Sequence, residues 1–434
     1  MKAFRNISKR FFCLEEIVIS SPPKQTFMNN QTFNKNIVLL IIVASLGYFV
    51  DIYDLVLFSV IRVQSLKDIG VADKDLLSVG VKLINSQMIG MLIGGIIWGI
   101  LGDKMGRLKV LFGSILMYSL ANIANGFVTD VDTYAIIRFI AGVGLAGELG
   151  AGITLVAETM SKENRGYGTM IVAAVGLLGA VVAGLVGGEF PWQTAYFVGG
   201  GMGLLLLVLR IGVMESSLYK NIEDKKVSKG NFIMLFNNWV RFKKYITCTL
   251  IALPVWFVVG ILITFAPEFG KAMGATEPLS AGKGILYTYI GISLGDLLTG
   301  FLSQVFKTRK KIVVVFLFAT LFSVLLFLSS KGISATTYHW LCVLLGISTG
   351  FWVIFVTIAA EQFGTNLRST VTTTVPNFIR GSVVLVTLSF QYLKTPFGII
   401  NAALIVGIST LVIAFVSAYN LEETYGKDLN YIEE

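Results

Sequence analysis

Gly99-Ile-Leu-Gly102-Asp103-Lys104-Met-Gly106-Arg107-Leu-Lys109 closes an apolar run that begins near residue 80. Gly102 and Gly106 permit a tight turn, and Asp103, Arg107 and Lys109 place charge at facing helix ends. Residues 80–101 supply about the 20 apolar positions that a helix rising ~1.5 Å per residue needs to cross ~30 Å of hydrocarbon. The stretch therefore reads as two membrane-spanning helices joined by a short charged turn.

Outward from that turn the pattern repeats. Apolar runs occupy residues 37–60, 80–101, 109–127, 133–157, 168–188 and 192–213, a polar stretch covers 214–244, and six more follow at 245–266, 284–305, 312–329, 338–360, 374–393 and 397–419. Composition agrees. Of 434 residues 55% are hydrophobic, about 239 in all, and twelve spans of ~20 would use roughly 240. Charged residues make up 14%, against ~25% in a soluble domain. A soluble globule, a disordered chain, collagen and a disulfide scaffold are excluded. Cys13, Cys248 and Cys342 have no metal-knuckle spacing, and the one histidine, His339, ends a run.

The net charge of +9 raises the question of nucleic acid, and its distribution answers it. With the N-terminus inside, seventeen Lys and Arg fall in inner connections, such as Lys104, Arg107, Lys243, Lys310 and Arg368. Seven fall in outer ones: Arg62, Lys67, Lys74, Lys271, Lys283, Lys331 and Lys394. That bias places both termini in the cytoplasm and leaves no need for a nucleic-acid partner. Residues 1–35 are polar and basic, do not form a signal peptide, and contain Met28 as an alternative start.

The two sets of runs are copies of one another. Ala157-Glu158 with Arg165 recurs as Ala360-Glu361 with Arg368, at an offset of 203; the Gly99–Lys109 turn recurs from Gly300 through Gln304 to Lys310, at 201; Glu215 pairs loosely with Glu423, at 208. Two parallel six-helix halves are the simplest account. The expected organisation is a tail (1–35), an N-terminal half (36–213), a central loop (214–244), a C-terminal half (245–420) and a second tail (421–434).

The 99–109 turn is similar to the loop signature of the major facilitator superfamily. Arg138-Phe-Ile-Ala-Gly142-Val-Gly144-Leu-Ala-Gly147-Glu148-Leu-Gly150 and Asp51-Ile-Tyr53-Asp54 resemble the fourth and first helices of its metabolite:proton and sialate symporters, and the tail from Glu423 to Glu433 resembles that of sugar porters. The second copy of the turn departs from the signature by carrying Gln304 in place of Asp103. The resemblance implies an all-α membrane protein of twelve helices, a secondary transporter rather than an enzyme, without cofactor beyond the coupling proton. It further implies a small-molecule solute, a monomer in the lipid bilayer, and a bacterial inner membrane. It assigns Asp103, Arg107, Glu158, Arg165 and Glu215, with Glu361, Arg368 and Glu423, to a charge network that latches the cytoplasmic side. An exporter or antiporter, a sugar transporter, and a non-transporting sensor are the alternatives on the same fold.

Six charges resist a topological explanation. Asp51, Asp54, Arg138, Glu148, Asp296 and Arg380 fall well inside apolar runs, where each costs at least ~2.5 kcal/mol unless it faces a partner or water. Asp51 and Asp54 are three apart on one helix, and Arg138 shares the depth of Asp54, which predicts two carboxylates competing for one guanidinium. Asp51 or Asp54 is then the proton carrier, with Glu148 as a second proton site. A permanent structural salt bridge is the other reading. Arg380 either neutralises Asp296 or offers its planar fork to a substrate carboxylate. Asn85, Gln87, Trp256, Tyr287, Trp352 and Asn377 complete the expected substrate-binding set. The favoured solute is a carboxylate or a zwitterion, because an uncharged sugar needs no buried guanidinium.

Overall fold

A computed structural model describes residues 35–105, 107–148, 160, 165–214 and 232–427. Among the described residues each of the twelve apolar runs contains helix. The first six give α1 (Lys35–Asp68), α2 (Leu76–Met105), α3 (Arg107–Asn125), α4 (Val131–Leu145), α5 (Arg165–Glu189) and α6 (Trp192–Met214). The seventh is broken into α7 (Trp239–Leu250), α8 (Leu253–Phe257), a π-helical stretch Val258–Ile263, and α9 (Ala266–Met273). The remainder are α10 (Ala281–Val305), α11 (Lys310–Ser329), α12 (Ala335–Thr349), α13 (Trp352–Gln362), α14 (Thr365–Gly381) and α15 (Val383–Asn420). Within α15, Gly398 at φ 74° separates two helices. Among the described residues nine segments are long and apolar enough to cross a membrane, and the last of them, 370–420, holds both of its final spans.

Packing repeats along with the sequence. A Cβ on Gly142 of α4 would strike the Gln87 carbonyl of α2, and one on Gly346 of α12 would strike the Thr288 carbonyl of α10. Only glycine lets these backbones meet, which is how helices gain contact in lipid, where burial of apolar surface drives nothing. Large apolar side chains such as Leu120, Leu205, Phe301, Phe318 and Leu385 point outward and remain exposed, as a lipid-facing surface requires.

Arg62 cross-links helices at one end of the bundle. Read from sequence as a loop residue, it lies in α1 and is fully buried. Its guanidinium donates to the Leu76 carbonyl at 3.0 Å, to the Thr264 carbonyl at 3.3 Å and to the Glu268 carboxylate at 2.8 Å, with Phe265 stacked 4.7 Å beneath it. The Thr264 carbonyl is available because the next helix starts after it, and the Glu268 N–H donates to the Phe265 carbonyl at 3.0 Å instead. Thr264 also bonds Ser59 of α1 at 3.0 Å. Helices α1 and α2 are thus tied to the break between α8 and α9.

The opposite end carries a network around Glu361 and Glu423. Glu361 is bound by Arg309 at 3.2 Å and by the Thr424 hydroxyl at 2.7 Å. Glu423 accepts the N–H of Arg309 at 2.8 Å and of Lys310 at 3.2 Å, so it caps α11, where the helix dipole favours an anion. Tyr425 of the tail reaches Gln304 at 3.3 Å, the position where the second turn lost its aspartate. Of the rest of the expected network, Glu158 and Glu215 and the side chains of Asp103, Arg107, Arg165 and Arg368 lie outside the described residues.

Two outcomes follow from these ends. Removing the Glu268 carboxylate leaves the Arg62 cation buried and unpaired. Because Glu268 is 21% exposed, Glu268→Ala costs about 2 kcal/mol, below the ~3–5 kcal/mol of a fully buried pair, while Arg62→Met with Glu268→Leu recovers part of that loss; thermal unfolding in detergent measures both. At the other end, burial pushes Glu423 upward, but the Thr308 hydroxyl and the N–H groups of Arg309, Tyr425 and Lys310 together hold it below its ordinary value of 4.5. Its stabilisation is present in full above that value and lost as pH falls through the lower folded one. Glu423→Gln is therefore less stable than the parent at neutral pH, and the gap closes on acidification below about pH 4.5.

Candidate functional site

Eight charged side chains are buried among the described residues: the six expected, together with Arg62 and Arg210. Arg210 is three residues from the end of its run, which is why it reads as a helix-end charge. It supplies the partner that Glu148 lacks in sequence, with Nη1 donating to Oε2 at 3.1 Å.

Asp51 and Asp54 do not share Arg138. Three residues on a helix differ by about 60° in direction, and that angle separates them. Asp51 turns toward α14, where Arg380 Nη2 lies 3.3 Å from its Oδ2. Asp54 turns toward α6, where a Cβ on Gly199 would strike its Oδ1. Arg138 instead donates to the Gln87 side-chain oxygen and, at 3.4 Å, to the Tyr196 hydroxyl, with Phe58 4.6 Å away across its face. Neither oxygen of Asp54 accepts a hydrogen bond of good geometry among the described residues, though the Asn122 amide and Arg138 lie near it.

Asp296 does not neutralise Arg380. Its Oδ1 accepts the Val353 N–H at 3.2 Å, so its carboxylate caps α13 across the break at Gly350 and Phe351, where the helix dipole is positive. That cap fixes the start of α13, and Trp352, its first residue, places its ring 6.0 Å from the Arg380 guanidinium. Trp256 of α8 meets Trp352 edge to face at 6.3 Å. Both indole N–H groups, and the Nε and Nη1 of Arg380, have no partner among the described residues.

The other expected solute contacts divide by location. Asn85 accepts from Thr387 of α15 at 2.7 Å, and Asn377 of α14 donates to the Ala146 carbonyl at 2.9 Å and to Thr373 at 3.0 Å, so each joins the earlier helices to the later ones. Tyr287 is half-buried and stacks on His339 at 4.5 Å. Two buried tyrosines that sequence reading passed over, Tyr48 and Tyr289, lie within the field of the Asp51–Arg380 pair. Tyr48 stands three residues before Asp51 on the same face, a spacing that could have found it; Tyr289 offers no such signal.

The result is a buried guanidinium with two uncommitted nitrogens, backed by an anion and flanked by two indoles and two phenols. Among the described residues these two charges are buried within a set of nine segments long and apolar enough to cross a membrane. The chain belongs to the major facilitator superfamily, whose family model matches residues 37–387. It is 26% identical over 390 residues to a putative niacin/nicotinamide transporter of Bacillus subtilis, covering 86% of this chain and 94% of that one. It is 24% identical to a 4-hydroxybenzoate transporter of Acinetobacter baylyi over 81% and 83% of the two chains, and 25% identical to a sialic acid transporter of Escherichia coli over 67% and 71%. The crystal structure of a D-xylose–proton symporter superposes with a TM-score of 0.67, covering 91% of this chain and all of that one at 16% identity.

Proposed function

We propose that this protein imports a small aromatic monocarboxylate by proton symport, as a monomer in a bacterial inner membrane with both termini cytoplasmic. The observation that carries this reading is Arg380, fully buried, with Nε and Nη1 unpartnered and the Trp352 ring 6.0 Å away. Relatives whose names specify niacin and 4-hydroxybenzoate support an aromatic acid, and the structural likeness to a proton symporter is compatible with the coupling.

The coupling follows from counting charges. Arg380 holds Asp51 in the empty site. A solute carboxylate binding the same guanidinium puts two anions on one buried cation, which low dielectric does not permit cheaply. Asp51 is then neutralised by the coupling proton, so solute and proton bind together. Asp54, next to Arg138, is the second proton-carrying carboxylate, and the Glu148–Arg210 pair lies beyond it. The Arg62–Glu268 tie closes the outer side while the site is open to the inside, and it must break for the halves to rock the other way.

Uptake of radiolabelled nicotinate and benzoate into proteoliposomes tests this. Acidifying the outside should drive accumulation of at least one; a proton-linked exporter gives the opposite sense, and no response to pH sinks the proposal. Asp51→Asn should abolish pH-driven accumulation yet keep counterflow, since exchange needs no net proton movement. Arg380→Lys, which removes the planar fork, should weaken solute binding at least ~10-fold, read as a lost thermal shift on ligand addition.

A further inference from the structure

The stretch ahead of the seventh apolar run carries bases without acids. Between Asp224 and Glu268 the sequence holds Lys225, Lys226, Lys229, Arg241, Lys243 and Lys244 and no Asp or Glu. Residues 232–244 are folded: Phe232–Leu235 forms a single 3₁₀ turn, and α7 begins at Trp239, with the Asn238 side chain accepting the Val240 N–H at 2.8 Å. Basic residues beside an apolar run are an ordinary topological signal. The apolar residues interleaved with these bases are not.

One side of this segment is packed. Leu235 and Tyr245 are buried, and the Phe378 ring of α14 lies 6.0 Å from Phe232 and 5.8 Å from Tyr245. Phe236 joins the cluster, 5.1 Å from Phe232 and 6.1 Å from Tyr245. The 232–235 turn also lies beside α2, so it rests on an early helix and on the late helix that carries Arg380. The other side is bare: Ile233 is 62% exposed, Trp239 73% and Val240 61%. At 100° per residue Trp239, Lys243, Val240 and Lys244 fall within an arc of about 140° on α7, which sets apolar and basic side chains on one face. Lys244 and Lys427 of the tail both lie near Cys248, so α7 starts at the Glu361–Glu423 end of the bundle, where Tyr419 is 83% exposed. Exposed Trp and Tyr next to Lys and Arg mark headgroup depth in a bilayer.

We propose that residues 232–244 form a docking surface for anionic phospholipid in the leaflet at this end: Ile233, Trp239 and Val240 enter the boundary between headgroups and acyl chains, and Arg241, Lys243 and Lys244 draw the phosphates. Such a lipid uses both kinds of side chain. Free phosphate engages only the bases, and a zwitterionic headgroup carries no net charge for them to attract. An anionic surface adds about fivefold in affinity for each Lys or Arg near it. The contact reaches the solute's site through packing. Phe378 stands two residues before Arg380, and its ring is held by Phe232 and Tyr245, which flank the docking surface. A segment fixed at the membrane surface fixes Phe378; a segment left loose withdraws that support from the helix of Arg380. The link to transport rests on the solute reading above, whereas the lipid contact does not.

Bromine quenches tryptophan fluorescence only at close range, so lipids brominated on their acyl chains read this contact directly. In nanodiscs of phosphatidylcholine and phosphatidylglycerol, with one or the other brominated, the Trp239 signal is the difference between the full chain and Trp239→Phe. Brominated phosphatidylglycerol should quench that signal at least about twofold more than brominated phosphatidylcholine at equal mole fraction, and Arg241→Gln with Lys243→Gln should remove the preference. In proteoliposomes, counterflow of nicotinate or benzoate should run about threefold faster with phosphatidylglycerol present than in phosphatidylcholine alone, and the double variant should lose that difference. An unquenched Trp239 signal, equal quenching by the two lipids, a preference that survives the double variant, or a response that inorganic phosphate reproduces overturns the docking surface. A protein that exchanges neither solute in either lipid overturns the aromatic-acid reading instead, and the quenching still decides the lipid contact.

Discussion

A charge inside a membrane protein must be answered by another charge, a helix end or water, and the described interior is arranged around meeting that demand. Seven of the eight buried charged groups are answered in three ways. Arg380 with Asp51, Arg210 with Glu148 and Arg62 with Glu268 are ion pairs. Asp296 uses the start of α13, and Arg138 uses the neutral oxygens of Gln87 and Tyr196. Asp54 alone among the eight has neither a bonded cation nor a good hydrogen bond among the described residues. The ion pair that matters most is Asp51–Arg380, because it joins an early helix to a late one and leaves two guanidinium nitrogens uncommitted.

Breaks in helices serve those pairings. The break between Thr264 and α9 leaves the Thr264 carbonyl for Arg62. The interruption at Gly350 and Phe351 creates a helix start for Asp296 to cap and sets Trp352 against Arg380. A continuous helix would offer neither. Non-helical backbone at membrane depth is tolerated where it is buried in protein, and Phe257, Phe265 and Phe351 around these breaks are fully buried.

On the proposed mechanism, solute and proton are coupled by scarcity of cations rather than by distance. Arg380 can satisfy one carboxylate, so a second must be neutral. The tie at Arg62 works on a different quantity, the balance between two arrangements of the helices, and contributes nothing to solute choice. Keeping these roles on separate arginines lets substrate preference change without altering the gating equilibrium.

The class of protein was legible in the chain because it depends on local quantities: apolar run length, the charged turn at 99–109, and the repeat near an offset of 200. Buried charge was legible for the same reason, since Asp51, Asp54, Arg138, Glu148, Asp296 and Arg380 interrupt runs. Arg62 and Arg210 were hidden because they stand near run ends, where charge is ordinary. Partnership was not legible at all. Whether Asp51 meets Arg138 or Arg380 turns on about 60° of helix rotation and on a contact 329 residues away in sequence. Linear spacing encodes which side chains share a helix face; only the packing of helices decides what that face meets.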